Sequence, residues 1–210
     1  MHFISFSTFL IFFLVASPLS SETSVEEEFF NILSSHKFFS ASFLQRTNNN
    51  EQERNIHGKI IADRSGRFKL NYFKPLNEII FSDGKDLYRY DSELDQAYVQ
   101  PLDDLFKETP LGLFVLSTEE LKQFLSLDWC KDLKSYMRCR LTSLKDRSFV
   151  KEIIVEIKEK VIHQLSYRDT FNQNVTLIFN NPSIDKIAPG QFQVIIPKGT
   201  DIVSFKNTLE

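Results

Sequence analysis

The chain has 210 residues with 25 Lys and Arg against 28 Asp and Glu, and the formal charge of -3 is spread with both signs interleaved. That balance excludes the basic stripe on which nucleic-acid binding depends. The length fits one domain with a substantial core, without linker or fixed-period repeat, and of the 21 Phe the 16 that lie beyond residue 21 are still more than an ordinary core uses, so part of them is expected to line a ligand space.

The chain opens on an apolar run, Phe3 to Val15, too short to span a bilayer as a helix, followed by the small polar stretch Ala16-Ser17-Pro18-Leu19-Ser20-Ser21. Residues 1–21 are expected to be a cleaved signal peptide and 22–210 the mature single domain; an N-terminal anchor is the alternative. No cysteine follows the run, so the expected mature amino terminus offers no thiol for a bacterial lipid anchor.

Residues 22–36 predict a helix: Thr23 or Ser24 as cap, Glu26, Glu27 and Glu28 at the positive end of the dipole, and one stripe of Val25, Phe29, Phe30, Ile32 and Leu33. The period then changes from helical to alternating. Strands are expected at 39–47, 52–63, 67–73, 78–82 and 86–91, joined by turns at Asn48-Asn49-Asn50, Arg64-Ser65-Gly66-Arg67 and Asp83-Gly84, where residues tolerant of positive φ gather. Tyr98 to Gln100 close this antiparallel meander at Pro101.

Residues 102–125 interrupt the rhythm. Thr109-Pro110 is a cap followed by proline at the first helical position, and Ser117-x-x-Glu120 is a capping box leading into Leu121, Phe124 and Leu125. Two or three short helices fit, with Leu102, Leu105, Phe106, Leu111, Leu113, Phe114, Val115 and Leu116 as their apolar content. Such density has two readings, an ordinary cap on the core or a movable lid over an apolar cavity. Strand sequence resumes at 126–131, 136–143, 149–158, 161–168, 173–180 and 192–196. The fold expected is mainly β with α: about eleven strands in a strongly curved antiparallel sheet, an unclosed β-barrel, with an N-terminal helix and a short-helix lid inserted mid-chain.

Cys130 and Cys139 flank the turn-like Asp132-Leu133-Lys134-Ser135, which favours a cross-hairpin disulfide in an exported chain; a redox dithiol lacks C-x-x-C spacing, and two buried thiols remain the other possibility. Chemistry has little support. There is no H-E-x-x-H, no G-x-S-x-G and no phosphate-cradling loop, so catalytic residues, metal and cofactor are all expected to be absent. His57 and His163 fall in polar-facing strand slots, and the neighbouring acids Asp103-Asp104 and Glu119-Glu120 diverge on short helices and suit capping.

In order and spacing, Phe39-Ser40-Ala41-Ser42-Phe43-Leu44-Gln45, Arg64 to Tyr72 with Pro75, Ser82 to Asp91, Thr109-Pro110 and the carboxy-terminal Phe192-x-Val194-x-Ile196-Pro197-Lys198-Gly199-Thr200-Asp201-Ile202 resemble the LolA family of periplasmic lipoprotein carriers. The resemblance implies an unclosed barrel with a helical lid, acylated lipoproteins as cargo, an inner-membrane LolCDE-like transporter as donor and an outer-membrane LolB-like receptor as acceptor. It implies a periplasmic, monomeric protein that is not membrane-embedded. It also implies a role for Arg64, by position the arginine that hydrogen-bonds lid backbone and holds the empty cavity shut; a solvated turn arginine is the other reading. Two departures stand out: Leu70 replaces an aromatic often found there, and the cysteine pair is not general to the family.

The cavity wall is expected to comprise Phe43, Ile60, Phe68, Leu70, Phe81 and Tyr88, and the lid Leu105, Phe106, Leu113 and Phe114. Another apolar-ligand module of the periplasm and an exported hydrolase are the competing functions.

Overall fold

The structure, a computed structural model, describes residues 24–49, 52–102, 109–145 and 149–205. The expected leader 1–21, the cap candidate Thr23 and the lid residues Leu105 and Phe106 lie outside them.

Helix α1 (Val25–Ser35) starts where Ser24 accepts a hydrogen bond from the Glu27 amide at 3.1 Å, with three glutamates in its first turn and Phe29, Ile32 and Leu33 on its buried face. Strands β1 (Phe38–Asn48), β2 (Glu53–Asp63), β3 (Arg67–Tyr72), β4 (Glu78–Asp83), β5 (Asp86–Asp91) and β6 (Gln96–Pro101) form the meander. Gly66 and Gly84, at φ +85° and +98°, turn two of its hairpins. After two short helices, α2 (Gly112–Val115) and α3 (Thr118–Phe124), come β7 (Leu125–Asp132), β8 (Met137–Ser143), β9 (Val150–Lys158), β10 (Val161–Asp169) and β11 (Asn174–Ser183). The Ser117–Glu120 capping box forms at the start of α3, with Glu120 N to Ser117 Oγ at 3.2 Å and Ser117 N to Glu120 Oε2 at 2.9 Å.

All strands join one 12-stranded sheet in the order β12-β6-β5-β4-β3-β2-β1-β11-β10-β9-β8-β7, in which β7 and β12 are the two edges. Register shifts in the β1–β11, β9–β10 and β7–β8 ladders mark bulges, which bend strands and raise their twist, and so curl the sheet around the helices. The core lies inside this curl. It joins Phe29 and Leu33 of α1, Leu113 to Leu116 at and just after α2, Leu121 and Phe124 of α3, and inward residues from both halves of the sheet.

One strand falls elsewhere than predicted. Residues 193–196 form no strand: Pro189 starts a 3-10 turn, Pro189–Phe192, after which the chain runs unpaired to Pro197, which has no N–H to give a ladder. The last strand is β12 (Asp201–Ser204), and it pairs parallel with β6, so the sheet is not wholly antiparallel. To reach that edge from β11 the chain crosses the sheet face opposite the helices. Lys69 Nζ donates to the Gln191 carbonyl, and the Arg67 guanidinium sits 4.8 Å from the Phe192 ring centre.

Cys130 and Cys139 stand directly opposite each other on β7 and β8 and are disulfide-bonded. The bond closes a loop of sequence separation 9 at an edge of the sheet, where one side of β7 has no strand partner among the described residues. Chain entropy for that loop gives about 2–3 kcal/mol. The Cys130→Ala/Cys139→Ala protein is therefore expected to melt roughly 5–10 °C lower. An unchanged midpoint in a calorimetric scan would show that the hairpin holds without the bridge.

Candidate functional site

The turn between β2 and β3 is built to aim one arginine inward. Asp63 is only 3% exposed and accepts from Ser65 N at 3.0 Å, Ser65 Oγ at 2.6 Å and Arg67 Nε at 3.0 Å. Burial works to raise the Asp63 pKa, but the hydrogen bonds from Arg67 and Ser65 outweigh it and hold the carboxyl below its ordinary value, so the turn is locked by an ionised acid. Between these residues, the Arg64 amide bonds the Lys37 carbonyl at 3.2 Å. Its guanidinium is thereby held against the end of α1.

Three carbonyls converge on that guanidinium. Nη2 donates to Leu33 O at 2.7 Å and Nε to His36 O at 3.0 Å, both at the carboxy-terminal end of α1. Nη1 donates to Leu116 O, the residue that ends α2. Helix ends leave carbonyls without intrahelical partners, and the fixed fork of a guanidinium can serve several at once. Burial lowers the Arg64 pKa to about 10, so it remains a cation at neutral pH and all three bonds are charge-assisted. Burial, and then the charge of Arg64, also lower the pKa of His36, which keeps a second cation from forming at this corner near neutrality.

Arg64 thus ties α1 to the α2 segment, and what α2 covers is apolar. Phe114 stacks on Phe39 with ring centres 4.2 Å apart and meets Phe179 edge-on at 5.6 Å. Beside Phe114 lies a space of about 140 Å³ lined by Phe43, Ile60, Leu70, Leu165, Leu177 and Phe179, with Gln45, Tyr72 and Tyr167 among the strand residues and Thr109, Pro110 and Leu111 on the helical side. A second hollow of about 450 Å³ continues toward β6 and shares Leu70, Tyr72 and Leu111 with the first. Ile80, Leu87, Tyr98 and Phe205 line its far wall.

A curled, open sheet with short helices inserted mid-chain is the fold the sequence resemblance implied. The family model for the outer membrane lipoprotein carrier protein LolA matches residues 34–195. The chain belongs to the LolA family. The outer-membrane lipoprotein carrier protein of Nitrosomonas europaea is similar at 25% identity, the match covering 93% of this chain and 98% of that protein. The protein of the same name from Chromobacterium violaceum is 24% identical, with 90% of this chain and 91% of that one covered. The fold is also seen in the crystal structure of an uncharacterised conserved protein from Thermus thermophilus, at TM-score 0.55 and 12% identity over 87% of this chain and 100% of that one.

Within this LolA frame, Phe43, Ile60 and Leu70 face the space under α2, Phe68 is fully buried in the core, and Leu113 and Phe114 sit on the helical side. Phe81 and Tyr88 do not join them. Phe81 pairs with Lys69 and with Tyr88, and cross-strand partners share a face, so both rings lie on the opposite side of the sheet. There they stack at 4.6 Å and face the crossing segment around Phe192. The physical reason is that Ile79, Ile80 and Phe81 are consecutive apolar residues, which leaves alternation silent about which of them points inward. Ile80 and Leu87 are the inward apolar residues of β4 and β5, and the ion pair of Glu78 and Arg89 lies on the same face. Leu165, Tyr167, Leu177 and Phe179 were missed as lining, although their i, i+2 spacing on β10 and β11 is the signal that marks one face.

Proposed function

We propose that the chain is a periplasmic carrier of acylated lipoproteins. Residues 1–21 act as the export signal, and the domain 22–210 works as a soluble monomer. It takes lipoproteins released from the inner membrane by a LolCDE-like transporter, shields their acyl chains under the lid and passes them to a LolB-like receptor. Catalysis has no part in this.

The observation that carries the reading is the Arg64 tie from α1 to Leu116, because it fastens a cover over an apolar wall through bonds that can be broken and remade. The energetics favour reversible exchange. Each methylene of an acyl chain hidden from water is worth about 0.8 kcal/mol, so one chain of about fifteen methylenes gains roughly 12 kcal/mol. Leu113, Phe114, Val115 and Leu116 are all buried, and exposing them costs roughly 6–12 kcal/mol. An acyl chain that takes the place of the cover therefore binds with the small difference between two large terms, and that difference lets the protein release what it has taken.

In the reading proposed, Phe43, Ile60, Phe68 and Leu70 form wall and Leu113 and Phe114 form lid, together with Leu105 and Phe106. The test is a release assay in which the purified protein is mixed with inner-membrane vesicles and ATP. Acylated lipoprotein is expected in the soluble fraction, in complex with this protein and only with ATP present. Recovery of phospholipid or fatty acid alone would replace the carrier reading with that of a general lipid-binding module.

A further inference from the structure

Apart from Thr109 on the helical side, the described residues lining the space under α2 are apolar except at one place on the sheet, where Gln45 of β1, Tyr72 of β3 and Tyr167 of β10 come together. Phenylalanine would serve an apolar wall better, because a buried hydroxyl short of hydrogen bonds costs free energy. The chain uses Phe at 43, 114 and 179 around the same space, yet puts tyrosine at 72 and 167. Their hydroxyls are poorly satisfied. Tyr72 donates to Gln45 Oε1 at a long 3.3 Å, the Gln45 amide reaches Thr47 Oγ1 at 3.4 Å, and the Tyr167 hydroxyl, open to the space and not sealed in the core, has no protein acceptor among the described residues. Burial first, then the nearby Tyr167, push the Tyr72 pKa up, and burial with Asp169 pushes Tyr167 up to about 12. Both phenols are thus protonated donors across the physiological range.

Donor hydrogens that lack good acceptors imply a ligand that brings one. Among the described residues lining this space there is no lysine, arginine or histidine, and Arg89 of the adjoining hollow is already paired with Glu78, so a carboxylate would find no free counter-ion and the acceptor is a neutral one. We infer that Tyr72 and Tyr167 form a polar subsite within the cavity that takes the neutral carbonyl oxygen of an ester- or amide-linked fatty-acyl group. The subsite rests on the carrier reading and adds a specificity to it: linked acyl groups are accepted, while free fatty acids and carbonyl-free alkyl chains bind more weakly. It also sets depth, because a carbonyl at Tyr72 lies where the smaller space meets the hollow that opens toward β6.

The test uses the full-length mature protein and three synthetic lipopeptides of equal chain length. The first carries two ester-linked chains, the second the same chains linked as ethers, and the third the ether chains with an added amide-linked chain on its amino terminus. Wild-type protein is expected to bind the diester about tenfold more tightly than the diether, the gain of one or two neutral hydrogen bonds. The Tyr72→Phe/Tyr167→Phe protein is expected to lose this preference while binding the diether no worse, with a thermal melt confirming the fold. If affinity returns with the amide-bearing lipopeptide, and only in the wild type, the acceptor is the amide carbonyl. Equal binding of all three by the wild type, or an ester preference that survives the double substitution, overturns the subsite and leaves the carrier reading standing. Failure to bind any of the three overturns both.

Discussion

Arg64→Leu is expected to hold cargo more tightly and to hand it on to the receptor at least about tenfold more slowly. Of the three hydrogen bonds lost, the one to Leu116 O bears directly on the lid, and those to Leu33 O and His36 O anchor the guanidinium to α1. A hydrogen bond to a charged group contributes about 1.5–3 kcal/mol, and each 1.4 kcal/mol is tenfold in an equilibrium. Losing the Leu116 bond alone moves the lid from closed toward open by about one to two orders of magnitude. With closure weakened, cargo no longer competes against it, so affinity rises and release slows. Arg64→Lys is expected to fall between, since an ammonium cannot span three carbonyls in the geometry of a fork. The measurement is the transfer rate of a fluorescent lipopeptide to a LolB-like receptor. A leucine variant that transfers at the wild-type rate would remove Arg64 from the release step.

The second large effect is expected at Gly58. A Cβ at this position would lie 2.4 Å from Phe43 Cζ and 2.6 Å from the Asn71 carbonyl oxygen, far inside van der Waals contact. The ring of Phe43 crosses β2 in the gap that the glycine leaves and meets Tyr72 edge-on at 5.4 Å. The ring can move but the carbonyl cannot, because β2 and β3 pair there, Gly58 opposite Tyr72. Overpacking of this kind costs about 1–3 kcal/mol where only side chains yield, and more where backbone must. Gly58→Ala is therefore expected to lower stability by roughly 3 kcal/mol in urea denaturation and to press Phe43 into the space beneath α2, weakening lipopeptide binding. Combining it with Phe43→Leu is expected to recover part of both losses, as contacting residues do not add independently. Strictly additive losses would show that the close approach at Gly58 does not govern the wall.

Much of this site was legible before any tertiary contact was known. The turn Arg64-Ser65-Gly66 is set by local chemistry, since Gly66 takes the positive φ and Asp63, Ser65 and Arg67 bond one another within five residues. The box Ser117-x-x-Glu120 and the serine cap of α1 are likewise local, and both form. Face assignment is different. On β3, where Phe68 and Leu70 alternate with Arg67 and Lys69, the pattern shows the buried side; on β4, three apolar residues in a row do not, and Phe81 fell on the wrong face together with its partner Tyr88.

The amino-acid sequence alone determined the family, the alternation that makes a long curled sheet, the helical interruption and the arginine placed at a turn. It did so because these depend on period, capping and turn residues within a few positions of one another. Only the tertiary structure decided that β12 joins β6 in parallel, that the segment before it faces Phe81 and Tyr88, and that Arg64 reaches Leu33, His36 and Leu116. These arrangements join residues tens of positions apart, and register and curvature across the whole sheet fix them, which no local pattern encodes.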